Sequence, residues 1–229
     1  MAVIEGGVTG NLGEVGAAAA AGQHAILKPT DHGALGHYRI ASTSGTIAAA
    51  LAANGQVFYV RWTDATRLMV ITRVKVSFQA LSLFTAATLT DFGFDMCKVT
   101  AVSAGAGGTD LGALVKTRMR TSGMGASLTD AAGLMRISTT AALTALTTID
   151  AICIAQSIGD PQRVNPAAAT EEQRVNDPTL LFEADASRGE YPLVLAQNEG
   201  MVIRNRTVWP IAGTGVFQVE MAWSEVTAY

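Results

Sequence analysis

Near the C-terminus, apolar and polar positions repeat every second residue. Phe217, Val219, Met221 and Trp223 share one side of residues 216–223, with Gln218, Glu220 and Ser224 among the other. This is the period of a strand half in a core, and no helical period fits it. Upstream, residues 192–195 form a short apolar run. Asn198-Glu199-Gly200 breaks it, and an extended pattern resumes over 201–209 until Pro210. Turn residues at 211–215 then lead into the closing strand. The stretch predicts a C-terminal hairpin whose apolar face needs a second sheet to cover it.

Extended patterns dominate the rest of the chain. Residues 37–43 read as a first strand, while 46–53 are Ala-rich enough for a helical turn and Thr/Ile-led enough for a strand. Asn54-Gly55 marks a turn. Residues 56–62 place Phe58, Val60 and Trp62 on one face and Val57, Tyr59 and Arg61 on the other. Residues 68–78 then place Leu68, Val70, Thr72, Val74, Val76 and Phe78 on a mostly apolar face, opposite Arg73, Lys75, Ser77 and Gln79. A one-residue slip there buries two cations. The short connection 63–66 makes these two strands an antiparallel hairpin by default.

Residues 88–102 predict a strand pair or one bent strand, with Phe92, Phe94 and Met96 inward and Asp91, Gly93 and Asp95 outward. Segments 115–119 and 134–139 look extended. Residues 148–154, apolar on both faces, fit a buried strand, and a helix over 140–146 stays open. Residues 159–178, with three prolines, read as a projecting loop, after which 180–183 begins the last strands. About eight to ten strands with turn signals every ~8–12 residues predict an all-β chain, an antiparallel β-sandwich or jelly roll. That domain spans 37–229. Residues 1–36, with eight glycines and no sustained apolar period, predict an extended N-terminal arm.

Composition changes this picture in one respect. At 229 residues, a single domain buries roughly 70–75% of its unfolded surface and needs no staples. Charged residues are only 15%, against the ~25% of ordinary soluble domains, so part of the surface is expected to be covered by other subunits. A glycine-rich arm also needs something to hold it, and its apolar Val3, Ile4, Val8, Leu12, Ile26 and Leu27 are the candidate interface residues. A net charge of −3 argues against a nucleic-acid or anionic-membrane binder. The densest basic run, Lys116 with Arg118 and Arg120, alternates onto one side and reads as a solvated strand face.

Candidate chemistry is sparse. Cys97 and Cys153 sit in apolar settings without CxxC spacing and are expected as two buried thiols, which suits a reducing cytoplasm. No basic leader precedes an apolar stretch, so no secretion signal is expected, and no apolar run approaches the ~18 residues of a membrane span. His24, His32 and His37 do not converge at a metal-ligand spacing. Gly105-Ala106-Gly107-Gly108-Thr109-Asp110 lacks the ending of a phosphate loop. No G-x-S-x-G occurs. Trp62, Trp209 and Trp223 sit in strand patterns rather than as sugar platforms, and the Asn205-Arg206-Thr207 tripeptide reads as a chance glycosylation match. Catalytic, cofactor and metal residues are therefore all expected to be none.

One resemblance extends over most of 37–229. His37-Tyr38-Arg39-Ile40, Ser44-Gly45-Thr46, Leu51-Ala52-Ala53-Asn54 and Phe58-Tyr59-Val60-Arg61-Trp62 resemble the strands and corners of tailed-phage virion structural proteins. So do residues 192–200, Ile203-Arg204-Asn205 and Val219-Glu220-Met221-Ala222-Trp223. The resemblance implies a β-rich, non-enzymatic particle protein, foremost a capsid decoration or cement protein. Its expected partners are a major capsid protein and copies of itself, in a homo-oligomer such as a trimer, without nucleic acid or membrane. Its expected place is the capsid surface of a virion, after synthesis in the host cytoplasm. The alternatives are a tail or fibre module that binds a receptor or carbohydrate and, behind it, a glycan-cleaving enzyme.

Overall fold

The computed structural model describes residues 4–5, 12–13, 36–48, 50–85, 92–102, 105–119, 124–144, 146, 148–157, 179–185, 189–210 and 212–229. Residues 1–30 form one compact unit and residues 31–229 another. In the first, β1 (Ile4–Glu5) and β2 (Leu12–Gly13) pair antiparallel, Ile4 opposite Gly13 and Glu5 opposite Leu12.

The second unit contains β3 (His37–Thr43), β4 (Ile47–Ala48), β5 (Gln56–Arg61), β6 (Leu68–Thr85), β7 (Phe94–Val99), β8 (Thr109–Asp110), β9 (Thr117–Arg118) and β10 (Met135–Ile137). It continues with β11 (Ala155–Gln156), β12 (Thr179–Glu183), β13 (Leu193–Leu195), β14 (Gly200–Asn205) and β15 (Ala212–Val226). There is no helix among the described residues, so the stretch 140–146 is not helical where described and 47–48 resolves as strand. A six-stranded sheet runs β11-β7-β14-β5-β10-β8. A seven-stranded sheet runs β12-β6-β15-β3-β9, with β13 also on β6 and β4 also on β15. Every ladder is antiparallel, and the chain is an all-β sandwich, as its periodicity indicates.

The core lies between the sheets. β15 turns Phe217, Val219, Met221 and Trp223 inward, all buried, and its ladder sets Phe217 beside Phe78 and Val219 beside Val76. From the opposite sheet, Phe94 meets Phe217 with ring centroids 4.8 Å apart, and Trp209, in the connection between β14 and β15, meets Phe78 at 4.8 Å. Such tilted rings add about 0.5–1.5 kcal/mol per pair to their area burial.

Two expected hairpins are not hairpins. β5 pairs with β14 and β10, while β6 belongs to the other sheet; β14 and β15 are likewise divided between sheets. The physical reason is shared demand for one core. Strands side by side in a hairpin face the same way and still need a cover, whereas strands joined by an arch cover each other. The arch at 62–67 is closed locally. The Asp64 Oδ1 accepts from the backbone N–H of Thr66 at 2.8 Å and of Arg67 at 2.7 Å, and Trp62 Nε1 donates to the Arg67 carbonyl at 2.7 Å.

The face assigned to β6 also changes partway. Met69 and Ile71 enter the core, then Val74, Val76 and Phe78, so Leu68, Val70 and Thr72 do not share the face of the later residues. A bulge absorbs the switch, because Arg73 lies opposite Ala222 while Ile71, two residues back, lies opposite the adjacent Trp223. Thr72 Oγ1 donates to the Ala222 carbonyl at 3.3 Å.

The expected buried strand over 148–154 is instead an edge strap. Ile149 makes one bridge to Val99, and pairing resumes only in the two residues of β11, which leaves Ile152 and Ile154 exposed. The projecting loop expected at 159–178 lies outside the described residues.

Candidate interaction edges

Outside the main core, titratable side chains brace loops. Lys116 is 2% exposed, and its Nζ donates to the carbonyls of Leu111 and Leu114 at 2.6 Å each and of Thr129 at 3.3 Å, with Asp130 Oδ1 at 3.2 Å. Burial pulls the Lys116 pKa down, and the Asp130 carboxylate opposes that pull. This corrects the solvated-face reading of the basic run. Arg118 is exposed, with Nη1 donating to the Met124 carbonyl at 3.2 Å, and Arg120 lies outside the described residues. The sequence pattern missed Lys116 because alternation marks a side, not whether a later loop folds over it.

Glu225 is fully buried beyond Trp223. It accepts from Ser127 Oγ at 2.6 Å, the Leu128 N–H at 3.1 Å and Trp223 Nε1 at 3.2 Å. Burial pushes its carboxyl pKa up, and those hydrogen bonds offset part of the rise. Beside it, the Tyr38 hydroxyl donates to the Gly125 carbonyl at 3.1 Å; burial first and the Glu225 charge second push its pKa up to about 12. These groups spend their hydrogen bonds on the 111–130 excursion, which makes them fasteners. Among the described residues, no three His, Cys, Asp or Glu side chains gather into a metal site.

Cys97 and Cys153 are joined in a disulfide with Cα atoms 4.2 Å apart, replacing the expected pair of free thiols and the argument they supplied for a reducing compartment. The Val99–Ile149 bridge and the Met96–Ala155 pairing pin the strap on either side of Cys153 and bring its sulfur over Cys97. The sequence separation of 56 hides that proximity.

The strand orders leave the sandwich two sides, one at each end of its sheets. On one, β11 of the six-stranded sheet lies against β12 of the other. Ile152 is 86% exposed there, with Ile154 at 41% and Leu180 at 48%. On the other, residues 111–116 join the edge strands β8 and β9, and Leu114 (55%), Val115 (74%) and Met119 (46%) stand in solvent. Both sides carry charge of both signs: Glu183 of the first side lies opposite Arg73 in the ladder, and the second holds Arg118 together with Asp110 and Asp130. β8, β9 and β11 have two residues each and β12 is bulged, which blunts all four edges against strand addition and leaves side chains as the means of contact.

The seven-stranded sheet also carries a groove of about 370 Å³ on its outer face. Its lining includes Thr43, Lys75, Ser77, Gln218 and Glu220, with no aromatic ring.

No family model, curated protein or solved structure matches this chain.

Of the interface residues expected in the arm, Ile4 lies in β1 and Leu12 in β2; Val3, Val8, Ile26 and Leu27 lie outside the described residues. His24 and His32 also lie outside them, and His37 opens β3, where its carbonyl accepts from the Met119 N–H. The glycine loop ends in β8, where Asp110 pairs with Arg136 at 3.3 Å. Trp62, Trp209 and Trp223 are core residues. Asn205 is fully buried and donates to the Ala52 and Thr207 carbonyls, which closes the glycosylation tripeptide in the folded chain. The exposed apolar residues of the two sides were not singled out by the sequence. Their only signal is Leu, Val or Ile in segments with no sustained period.

Proposed function

We propose that this chain is a non-enzymatic structural protein of a tailed-phage virion, a decoration or cement protein that works by contact area. The observation that carries this reading is the gathering of exposed apolar side chains, Val115 and Ile152 foremost, at the two sides of the sandwich. The low charge content and the strand and corner signatures of residues 37–62 and 192–223 support it. The disulfide fits a protein that ends on the outside of a particle, where oxidising surroundings keep such bonds closed. Repeated contacts of ~1,600 Å² each, closed about a symmetry axis, can reinforce a shell against packaged DNA. Its partners are then a major capsid protein and other copies of the chain, at the capsid surface, after synthesis in the host cytoplasm.

A second reading, a tail or fibre module that binds a receptor or carbohydrate, is favoured by the polar groove around Lys75, Ser77, Gln218 and Glu220. The missing aromatic platform ranks it second. Immunogold labelling of purified particles with antibody raised against the chain separates the two. Label on heads is expected, label on tails moves the second reading to first place, and particles without label overturn both.

A further inference from the structure

We infer that Cys153 is the entry sulfur of the Cys97–Cys153 disulfide: the reduced chain folds first, Cys153 then takes up a small-molecule disulfide, and Cys97 closes the bond. This goes beyond the virion reading and holds whatever the role of the chain.

The strap that carries Cys153 docks without help from the sulfurs. Before Cys153, the Asp150 N–H donates to the Lys98 carbonyl at 2.9 Å and Ile149 bridges to Val99. After it, the N–H groups of Ile154 and Ser157 donate to the carbonyls of Met96 and Phe94 at 2.7 and 2.8 Å. Ser157 Oγ also accepts from the Phe94 N–H at 2.9 Å, and the Ser157 carbonyl accepts from Arg206 Nη2 at 2.9 Å. These bonds hold the strap over β7 on both sides of Cys153, so proximity of the sulfurs precedes the covalent bond.

The two sulfurs differ in their surroundings. Cys97 is fully buried in β7, in the cluster of Tyr59, Val99, Leu143, Leu146 and Val202. Cys153 is half-buried and packs against that cluster from the strap, between the exposed Ile152 and Ile154. Arg204 Nη2 lies 3.3 Å from Cys153 Sγ. Asp95 offsets part of that charge, but it is shared between Arg206 at 3.0 Å and Arg204 at 3.9 Å, so the group keeps a net positive charge. Of the other titratable groups around the strap, Tyr59 belongs to the cluster, Asp150 lies earlier on the strap and Lys98 is paired with Glu199 at 2.8 Å. A cation beside a thiol favours the thiolate and draws in an anionic reagent, whereas apolar burial makes a thiol inert. Arg204 acts through Cys153 and is a positioning residue.

In the first step the Cys153 thiolate attacks one sulfur of a reagent such as oxidised glutathione, whose S–S bond breaks to release one small thiolate. In the second, Cys97 gives up its proton and attacks Cys153 Sγ, which expels the other small thiolate. The protein thiols lose two electrons and two protons, and the reagent leaves as two thiols.

Cys97→Ser and Cys153→Ser each leave one thiol for oxidised glutathione, with intact mass spectrometry to follow the adduct and circular dichroism to select folded protein. Cys97→Ser is expected to gain glutathione at least about tenfold faster than Cys153→Ser, a contrast that vanishes in concentrated urea. Adding Arg204→Met to Cys97→Ser slows the reaction about threefold near neutral pH and moves its pH profile to the alkaline side, because the loss of thiolate outweighs the gain in nucleophilicity; Arg204→Lys restores both. The reduced wild type is expected to be folded, and acid quenching part-way through its oxidation, followed by peptide mapping, finds glutathione on Cys153. That mapping decides alone where a variant fails to fold. Glutathione on Cys97, equal rates for the folded single variants, or a contrast that persists in urea overturns the entry role of Cys153. An unfolded reduced chain overturns the order of folding and closure, and an Arg204→Met variant with unchanged rate and profile removes Arg204 from the mechanism.

Discussion

The outer face of the six-stranded sheet carries Tyr59, Cys97, Val99 and Val202, all fully buried, whereas the outer face of the seven-stranded sheet carries Lys75, Ser77, Gln218 and Glu220 in or near solvent. The inner faces do not differ in kind; both are apolar. The first outer face is roofed by a second cluster in which Leu143 and Leu146 pack on Tyr59 and its neighbours, with Ile149 and Cys153 against them. Gly105 completes the roof, because a Cβ there meets the Tyr59 hydroxyl at 2.5 Å. The second outer face has no such apolar roof among the described residues. One sheet is therefore stabilised by what the chain wraps over it, and the other by its long central strands β6 and β15.

The largest expected effect breaks the roof from below. Val202→Asp puts an unpaired charge under it and is expected to cost about 4 kcal/mol or more, enough to unfold a domain of ordinary stability, as read by urea denaturation. A variant that unfolds at the wild-type midpoint means that the face is not sealed. Next comes the staple. Cys153→Ser, or reduction of the wild type, releases a cross-link across 56 residues and is expected to lower stability by about 2–4 kcal/mol. An unchanged midpoint on reduction rules out a structural disulfide.

Smaller effects follow where the inner face of the seven-stranded sheet runs out beyond Trp223 and polar contacts replace apolar cover. The folded pKa of Glu225 lies above its ordinary 4.5, so the native state holds that proton more tightly than the unfolded chain. Its contribution is full below pH 4.5 and is lost as pH rises through the folded value. Glu225→Gln should gain on the wild type over that window in a pH series of urea midpoints. Tyr38 has the same sign at alkaline pH, its contribution full below pH 10 and lost as pH rises through about 12. Tyr38→Phe should lack that alkaline loss while giving up about 1 kcal/mol of hydrogen bonding at neutral pH. The smallest effect lies on the open face. Gln218→Asp is expected to stay within about 0.5 kcal/mol of the wild type, although it makes the same acid as Val202→Asp.

This contrast explains what the sequence disclosed. β15 was legible because one of its faces is wet, so Phe217 to Trp223 alternate with Gln218 and Glu220. β5 and β14 are buried on both faces and read as plain apolar runs, which identify a strand without saying which sheet holds it. Residues 148–154 looked the same and form a half-covered strap, with Ile149 and Cys153 against the roof and Ile152 and Ile154 in solvent, because an apolar run does not reveal how much of it is covered. The fastening cluster was illegible for a related reason: Ser127 meets Glu225 across 98 positions of chain.

The sequence by itself determined that the chain is built of strands, where most of them begin, and which side chains of β15 and the later part of β6 face inward. Those properties follow from neighbours two residues apart. Only the tertiary structure decided that β5 and β6 arch between sheets, that the facing side of β6 changes at Thr72, that Cys97 finds Cys153, and that Val115 and Ile152 stay in water on opposite sides. Each of these depends on which distant segment arrives to pair or to cover, and periodicity carries no record of that.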